Sequence, residues 1–333
     1  MDRDFSHLLA EDLGETPALP AQRAERAQGE FAEAVLAGLA RKPRSLPCRF
    51  FYDARGSALF EEITALPEYY PTRVETALLA AYGSEIAEAA GNARVLIEFG
   101  SGSSRKTSLL LDALAGIDLY VPIDVSAESL AEAAERLQDR HDGLAIRPLV
   151  ADFTKTRALS PATRGRRKFG FFSGSTIGNL SHAEARTFLA NAAQLLGAGS
   201  AFLIGVDLKK DASILIPAYD DSQGVTAEFN LNLLARINRE LGGDVDLQRF
   251  AHRAIYNEVQ GRMEMYLESL ARQTVSVLGR EFHFGQGERI HTENSHKYSV
   301  GEFQALASAS GWAPMRVWTD KDRLFSLHLL RLA

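Results

Sequence analysis

Between Ala93 and Leu208, apolar segments typical of strands alternate with segments of helical periodicity, and this alternation constrains the fold more than any other feature. ARVLIEF is almost continuously apolar and is followed by a glycine-rich turn and the helical segment KTSLLLDALA. The succession continues through the strand-like segments DLYVPIDV, GLAIRPLVADF, KFGFFSGSTIGNL and SAFLIGVDL, with helical segments at AESLAEAAERL and His182–Leu196. Alternation of this kind predicts an α/β fold: a mostly parallel, Rossmann-like sheet with helices on both faces.

The turn after the first strand, Glu98-Phe-Gly100-Ser-Gly102, is a candidate cofactor site. Ligands of open α/β sheets bind beyond the carboxyl ends of the strands, where glycine lets the backbone approach them closely. A dinucleotide is disfavoured because GSGSSRK lacks the third glycine of GxGxxG. S-adenosylmethionine suits these residues better, and Lys106, in the first turn of the next helix, is placed to reach its methionine carboxylate.

Two acids follow the next two strands in the order that such a cofactor requires. Asp124 ends the second strand, where a carboxylate can accept hydrogen bonds from ribose hydroxyls. Asp152 and Phe153 follow the third, where a carboxylate can meet the adenine amino group and a ring can stack on the base. The alternative is that each aspartate caps the helix after it, and Lys106 can equally be a solvated surface lysine.

The rest of the chain has a different organisation. The first twenty residues predict a loose tail, and helices are expected at 23–39 and 56–65. After Asp211, helices are expected near 212–219 and at Val225–Leu241, followed by strands at RFAHRAIYN, RMEMYLESLA and RQTVSVLG that predict an antiparallel sheet. A helix at 300–310 and the strands APMRVWTD and RLFSLHLLRLA are expected to complete the edge of the main sheet.

Composition excludes several classes of function. The formal net charge of −6 disfavours nucleic acid and anionic membranes as partners. No stretch approaches the roughly 20 apolar residues that span a bilayer. The single cysteine, Cys48, cannot form an internal disulfide, and the N-terminus has no secretory pattern, so we expect a cytoplasmic protein.

Seven long strings then occur in a consistent order: FYDARGSALFEEITALPEYYPTR, EFGSGSSRKT, PIDVSAESL, GSTIGN, AYDDSQGVTAEFN, RMEMYL and IHTENSHKY. In these strings the chain resembles the L-histidine Nα-methyltransferases of the ergothioneine pathway, from about Ser45 to the C-terminus. The resemblance implies a class I methyltransferase core with a second α+β substrate-binding domain. It also implies three successive methyl transfers from S-adenosylmethionine to free L-histidine, which give the trimethyl betaine hercynine.

The domain organisation that this implies has four segments. Residues 1–78 form an N-terminal helical segment that contributes to the substrate domain, and 79–211 form the S-adenosylmethionine-binding core. Residues 212–296 form an inserted α+β substrate domain, and 297–333 complete the core sheet. We expect a monomer.

The resemblance also assigns site residues. The cofactor contacts that it implies are Gly100, Lys106, Asp124, Asp152 and Phe153. The positions of the histidine pocket that it implies are Tyr52, Phe60, Tyr69, Gly174, Asn179, Tyr219, Thr226, Met265, Glu293 and Ser295. Because these positions come from both expected domains, a cleft between domains is the expected place for the substrate.

Residue chemistry is consistent with those roles. Asn179 and Tyr219 can donate hydrogen bonds to the histidine carboxylate, and Glu293 with Ser295 can hold an imidazole N–H. Tyr69 can engage the other ring nitrogen or lie near the amine, and Thr226 can relay the amine proton, so Tyr69, Asn179 and Thr226 are the candidate catalytic residues. No metal is expected.

Each pocket residue also has a structural alternative. Met265 and Phe60 can be core residues, Tyr69 can anchor a loop, and Asn179 can cap the next helix. Glu293 can be a solvated loop acid, and His291 and His296 around it suggest a metal site only weakly, because no third ligand is apparent.

Three other functions remain open from the sequence. The first is a methyltransferase of the same fold that acts on tryptophan or tyrosine, against which the polar pair Glu293 and Ser295 argues. The second is a non-catalytic binding protein, against which the intact cofactor residues argue. The third is an RNA or protein methyltransferase, which the acidic balance disfavours.

Overall fold

A computed structural model describes residues 20–102 and 104–332, so the expected loose tail over the first twenty residues lies almost entirely outside the described residues. The helices are α1 (Pro20–Ala40), α2 (Ala54–Ala65), α3 (Tyr70–Ala90), α4 (Arg105–Ala113), α5 (Ala127–Arg140), α6 (His182–Leu196), α7 (Ala212–Leu215), α8 (Val225–Leu241) and α9 (Val300–Ser308). The strands are β1 (Arg44–Ser45), β2 (Val95–Phe99), β3 (Leu119–Asp124), β4 (Ala145–Ile146), β5 (Leu149–Val150), β6 (Lys168–Phe172), β7 (Ala201–Asp207), β8 (Phe250–Asn257), β9 (Arg262–Ser269), β10 (Gln273–Val277), β11 (Arg280–Phe284), β12 (Arg289–His296), β13 (Trp312–Thr319) and β14 (Phe325–Leu332).

The described chain folds into two compact units. One contains Pro71–Lys209 and the residues from His296 to 332, and we call it the sheet unit. The other contains residues 20–70 and Lys210–Ser295, and we call it the insert unit. The first division falls at the start of α3, whereas the sequence indicated a boundary at residue 78.

The sheet unit is built on an eight-stranded sheet of order β13-β14-β7-β6-β2-β3-β4, with β5 also paired to β3. The pairs from β7 to β4 and β5 are parallel, and β14 and β13 are antiparallel. The expected α/β fold with a mostly parallel sheet is therefore confirmed. The two C-terminal strands complete one edge of the sheet, as predicted.

Both faces of this sheet are covered. Along β2, Val95, Ile97 and Phe99 belong to an apolar cluster with α6 and α9, whereas Leu96 belongs to a second cluster with α3 and α4. Successive side chains of a strand point to opposite faces, so a strand covered on both sides must be apolar throughout. This requirement explains why ARVLIEF is almost continuously apolar, with Glu98 as the one buried polar residue of β2.

The third predicted strand is interrupted. In place of one strand over GLAIRPLVADF, the structure has two short strands, β4 and β5, separated by Arg147 and Pro148. Proline has no N–H to donate to a neighbouring strand, so the ladder on β3 breaks there and resumes at Leu149.

The insert unit contains a four-stranded sheet of order β1-β12-β9-β8. β8 and β9 form the antiparallel hairpin that the sequence predicted. The prediction of a three-stranded antiparallel sheet was wrong for β10, which pairs with β11 in a separate two-stranded hairpin. Leu278 and Gly279, both with positive φ, form the tight turn that closes this hairpin locally.

None of the helices within the described residues is both long enough and apolar enough to cross a membrane.

Candidate active site

The chain order of the main sheet creates a topological switch point between β2 and β6. From β2 the chain passes to β3 and β5 on one side and then returns to β6 on the other side. The loops after these parallel strands lie at one edge of the sheet, which is where ligands of such sheets bind. All predicted cofactor residues lie in or next to these loops.

The turn after β2 has a backbone that favours glycine. Gly100 and Gly102 have φ angles of 69° and 49°, in the left-handed region where a Cβ is unfavourable. Gly102 N donates to Asp124 Oδ2 at 3.0 Å, which ties the turn to the end of β3. The cap of α5 is Ser126, so Asp124 does not cap that helix, although its Oδ1 accepts from Ser126 N at 3.1 Å.

Asp152 and Phe153 lie in the loop after β5. Asp152 Oδ1 accepts from Thr154 N at 2.9 Å, and the residues that follow form a turn rather than a helix that Asp152 could cap. The Phe153 ring packs edge-on against Phe172, with ring centroids 5.2 Å apart. A Cβ on Gly100 would lie 3.4 Å from the Phe153 ring, so these two predicted cofactor residues are adjacent.

The turn fits a polar ligand such as S-adenosylmethionine. Ser101, between the two glycines, is buried, and its Oγ has no hydrogen-bond partner among the described residues. A buried hydroxyl without a partner is costly, and a ligand that bonds to it removes that cost. Asp124, which is bonded to this turn, and Asp152 are each partly exposed.

Glu98, at the end of β2, was part of the sequence motif but not of the predicted site. Its carboxylate is buried and accepts hydrogen bonds from the Tyr120 hydroxyl and, at 2.7 Å, from Thr107 Oγ1. Burial raises the pKa of Glu98 to about 7, although these hydrogen bonds oppose the shift. Burial also raises the pKa of Tyr120, so the hydroxyl stays the donor.

Lys106 lies in the first turn of α4, as predicted, and its ammonium group is held by a residue that the sequence did not single out. Lys106 Nζ donates to Glu75 Oε2 at 2.6 Å, and Gly174 N donates to the same oxygen at 2.8 Å. The signal for Glu75 was its spacing: it precedes the buried Leu78 and Leu79 of α3 by three and four residues and therefore shares their buried face.

Asn179 ends a short 3-10 helix, Thr176–Asn179, after β6. Ser181 caps the next helix, α6, in a reciprocal capping box with Glu184, so Asn179 is not the cap. Ser175 has a φ of 56°, and its Oγ accepts from Asp207 N at 2.9 Å, which fixes this loop to the end of β7. Asn179 itself is half-buried.

Three predicted pocket residues of the insert unit lie in one aromatic cluster. Phe60 packs edge-on against Tyr52 and Tyr69, with ring centroids 5.7 and 6.1 Å apart. Phe229, which was not predicted from the sequence, contacts Tyr52 and Phe60. It follows Thr226 by three residues on α8, and that helical spacing was the signal that placed it on the same face.

Tyr219 and Ser295 meet directly. The Tyr219 hydroxyl donates to Ser295 Oγ at 2.8 Å, and both side chains are buried. His252 Nε2 lies 2.8 Å from the Tyr219 carbonyl oxygen, and His252 Nδ1 lies 2.8 Å from Asn230 Nδ2. Because an amide nitrogen can only donate, the imidazole is neutral with its proton on Nε2, and burial lowers its pKa.

Thr226 and Met265 are buried, and each is fixed through its backbone. Asp221 accepts from Thr226 N at 2.7 Å and from Val225 N at 3.0 Å at the start of α8. Thr292 Oγ1 donates to the Met265 carbonyl at 3.1 Å, which joins β9 to β12 one residue before Glu293. Glu293 is only 8% exposed, so it is not a solvated loop acid.

The chain after Ser295 is anchored by a buried ion pair. Lys297 Nζ lies 2.6 Å from Asp207 Oδ2, and both side chains are fully buried. Tyr298 N donates to the Asp207 carbonyl at 3.1 Å. Two successive contacts to the end of β7 thus fix the segment that follows Glu293 and Ser295.

The site residues divide between the two units. The cofactor residues, Gly174 and Asn179 belong to the sheet unit, and the other eight pocket residues belong to the insert unit. Within each unit the structure brings residues into contact: Lys106 with the Gly174 loop through Glu75, Tyr52 and Tyr69 with Phe60, and Tyr219 with Ser295. A single pocket that combines both groups stays a prediction.

The histidines beside Glu293 were weak candidates for a metal site. His291 Nε2 lies 2.9 Å from Asn294 Oδ1, and the His291 ring packs against Tyr266. Across residues 20–102 and 104–332, no group of three or more His, Cys, Asp or Glu side chains is placed to hold a metal ion.

Comparison with known proteins identifies the family. The family described as "Histidine-specific methyltransferase, SAM-dependent" matches residues 31–332. The histidine N-alpha-methyltransferase of Mycobacterium tuberculosis is 43% identical over 300 residues, which cover 89% of this chain and 92% of that protein. The enzyme of the same name from Mycolicibacterium smegmatis has the same identity and coverage. A 4-dimethylallyltryptophan N-methyltransferase of Claviceps purpurea is 27% identical and covers 95% of this chain and 100% of that protein. The chain therefore belongs to the family of S-adenosylmethionine-dependent, histidine-specific methyltransferases.

Proposed function

We propose that this protein transfers three methyl groups in succession from S-adenosylmethionine to the α-amino group of L-histidine and so forms hercynine for ergothioneine biosynthesis. The family establishes a methyltransferase that uses S-adenosylmethionine. The number of transfers, the residues that carry them and the exclusive use of histidine are the parts that we propose.

The cofactor supplies an electrophilic methyl group on a sulfonium. In our proposal Gly100 and Gly102 let the backbone approach it, and Asp124 accepts hydrogen bonds from its ribose. Asp152 accepts from the adenine amino group, with the Phe153 ring against the base. Lys106 pairs with the methionine carboxylate, for which its partly exposed ammonium group is suited.

Histidine carries a carboxylate, an amine and an imidazole, and the pocket residues have matching chemistry. We assign Asn179 and Tyr219 to the carboxylate, and Glu293 with Ser295 to the imidazole. In the structure the Tyr219 hydroxyl donates to Ser295 Oγ at 2.8 Å, so in this proposal its one proton turns to the carboxylate when histidine binds. An acceptor without a ring N–H offers no donor to the buried Glu293, and the loss of that hydrogen bond costs roughly 1 to 3 kcal/mol.

Methyl transfer requires mainly that an uncharged amine be held in line with the methyl group, so we assign most of the rate to positioning. The amine must lose a proton before each transfer. We assign the buried Thr226 hydroxyl to relay that proton: it accepts the proton from the amine as it donates its own to water. Tyr69 lies beside the amine in this proposal.

The product of the third transfer is a quaternary ammonium, which cannot donate a hydrogen bond. Aromatic faces stabilise such cations by roughly 0.5 to 2 kcal/mol. Tyr52, Phe60 and Tyr69 form the aromatic cluster that we assign to this group, and Phe229 supports it from α8.

We further propose that the protein acts in the cytoplasm as a monomer on a free amino acid and has neither nucleic acid nor membrane as partner. The net charge of −6 supports the absence of polyanionic partners.

The pocket assignment rests on the Tyr219–Ser295 hydrogen bond, and Tyr219→Phe tests it. Loss of a donor to a carboxylate is expected to raise the KM for histidine roughly tenfold or more, while the KM for S-adenosylmethionine stays within about twofold. Tyr256→Phe is the matched control, because Tyr256 is a half-buried tyrosine of β8 in the same unit. Equal kinetics of the two variants would contradict the assignment.

The acceptor is tested separately. Release of S-adenosylhomocysteine is measured with histidine, tryptophan, tyrosine and phenylalanine. Histidine is expected to be the only efficient acceptor of the four. Tryptophan belongs in the set because a relative acts on a tryptophan derivative. In Glu293→Gln the preference for histidine over tryptophan is expected to fall, because the charge that matches the imidazole N–H is gone.

A further inference from the structure

Glu75 has a fully buried carboxylate that binds two other groups of the candidate site. It is included neither in the predicted cofactor residues nor in the predicted pocket residues. It lies on α3, inside the sheet unit. Its side chain is 0% exposed, whereas that of Lys106, its ion-pair partner, is 19% exposed. Glu75 therefore cannot contact a ligand at the protein surface, but Lys106 can.

The contacts of Glu75 join two loops of the switch point. Oε2 accepts from Lys106 Nζ at 2.6 Å and from Gly174 N at 2.8 Å, and Oε1 lies 3.1 Å from Gly174 N. Gly174 begins the GSTIGN segment after β6, and Lys106 is the second residue of α4, after the β2 turn. One carboxylate thus fixes a side chain of the candidate cofactor site and the backbone that leads to Asn179.

Two glycines leave room for this arrangement. A Cβ on Gly205 of β7 would lie 2.0 Å from Glu75 Oε1, so any other residue there would displace the carboxylate. A Cβ on Gly174 would lie 3.4 Å from Lys106 Nζ, and its φ of 72° also favours glycine. The space around the Glu75 carboxylate and the Lys106 ammonium is therefore set by the backbone itself.

Burying the two charges of this ion pair costs free energy. A charged carboxylate in the interior must be paired and hydrogen-bonded, and Glu75 meets that condition through Lys106 and Gly174. An apolar side chain on α3 would pack on the sheet without this requirement. The ion pair orients the ammonium group, and the Lys106 side chain that carries it is still partly exposed.

We propose that Glu75 is a positioning residue for the methyl donor: it holds Lys106 towards the amino-acid end of S-adenosylmethionine and at the same time orders the Gly174 loop. The proposal rests on the cofactor role of Lys106 proposed above. It gives Glu75 no direct contact with cofactor or substrate.

Two ligands distinguish a loss of positioning at the amino-acid end of the cofactor from a general disruption of the protein. S-adenosylhomocysteine carries the amino-acid end, and 5′-methylthioadenosine has the same adenosine and thioether but lacks that end. Dissociation constants of both are measured by titration calorimetry for the wild type, Glu75→Gln, Lys106→Met and the double variant. Thermal unfolding of each variant is recorded alongside.

Glu75→Gln is expected to weaken S-adenosylhomocysteine roughly tenfold and to change 5′-methylthioadenosine by less than about twofold. In the Lys106→Met background, the same substitution is expected to have little further effect on S-adenosylhomocysteine, because the two residues act as one unit. Glu85→Gln is the control, since Glu85 lies on the same helix and pairs with Arg316 at 2.7 Å, away from the site. It is expected to change neither affinity.

Three results would overturn the proposal: unchanged binding of S-adenosylhomocysteine in Glu75→Gln, an equal loss for both ligands, or effects of the two substitutions that simply add. If Glu75→Gln is recovered in low yield, Glu75→Asp, which keeps the charge but shortens the side chain, gives the same comparison. Methylation of histidine by the wild type is assayed separately, so a failure of the Glu75 role and a failure of the proposed function are told apart.

Discussion

Glu98 illustrates how one buried carboxylate couples the glycine-rich turn to pH. Burial raises its pKa to about 7, from a usual value of 4.5. Between these two values the folded chain holds a proton that the unfolded chain has released. The contribution of Glu98 to stability is therefore fully present below about pH 4.5 and is lost as the pH rises through 7.

Glu98→Gln is expected to remove this dependence, because glutamine keeps the shape and does not titrate. Between about pH 5 and pH 8, the free energy of unfolding of the wild type is expected to fall by about 3 kcal/mol relative to that of Glu98→Gln. Urea unfolding at several pH values measures it. Glu135→Gln, at an exposed position of α5, is the control and is expected to follow the wild type. Parallel curves for Glu98→Gln and the wild type would contradict the assignment.

Single residues also show where prediction from the sequence stopped. Gly100, Asp124 and Phe153 were predictable because each lies at or just after the end of a strand, and parallel strands bring such positions together. For Glu75 and Phe229, helical spacing indicates only which face of the helix they share, and their roles depend on which loop or ring the fold places against them.

At the scale of single elements, the start of α8 decides where Thr226 and Phe229 lie. Asp221 accepts from the backbone N–H groups of Gln223, Val225 and Thr226. Burial alone would raise the pKa of Asp221, but the hydrogen bonds from Thr226 and Val225 outweigh it and lower the pKa. The stability that Asp221 contributes is thus present near neutral pH and is lost as the pH falls through this lowered pKa.

Asp221→Ala is expected to destabilise the protein by about 1 to 2 kcal/mol and to raise the KM for histidine, because the first turn of α8 carries Thr226. Urea unfolding and steady-state kinetics measure the two effects. Asp211→Ala is the matched control, because the Asp211 side chain also begins a helix: it caps α7 by accepting from Ser213 N. That control is expected to lose some stability without a change in KM. A similar KM for both variants would show that the start of α8 does not position the pocket.

Elements were predictable where local pattern and tertiary packing agree. The bounds of α6 and α8 follow directly from periodicity, and α6 from its Ser181–Glu184 capping box. The interruption between β4 and β5 was not predicted, because the mostly apolar segment resembles one continuous strand. Pro148 is the residue that indicates the interruption. The pairing of β10 with β11 was missed because the partner of a strand depends on chain geometry outside its own sequence.

At the scale of the whole molecule, the two halves of the candidate site differ in how far they can be predicted from the sequence. The cofactor half comes from one stretch, Gly100 to Phe153, in which strand order dictates proximity. The pocket half is scattered from Tyr52 to Ser295, and no local spacing connects those residues. They were predicted only from the resemblance to a family. The structure then places some of them in the aromatic cluster and the Tyr219–Ser295 pair.

The proposed conversion of histidine to its trimethyl betaine involves residues from the whole chain, and mass spectrometry is its most direct test. Free histidine is incubated with the purified protein and S-adenosylmethionine, and fragmentation of the product locates the added groups. We expect three methyl groups, all on the α-nitrogen, and no methylated product from tryptophan, tyrosine or phenylalanine. Methyl groups on the imidazole, or unmodified histidine beside another methylated amino acid, would contradict the proposed function.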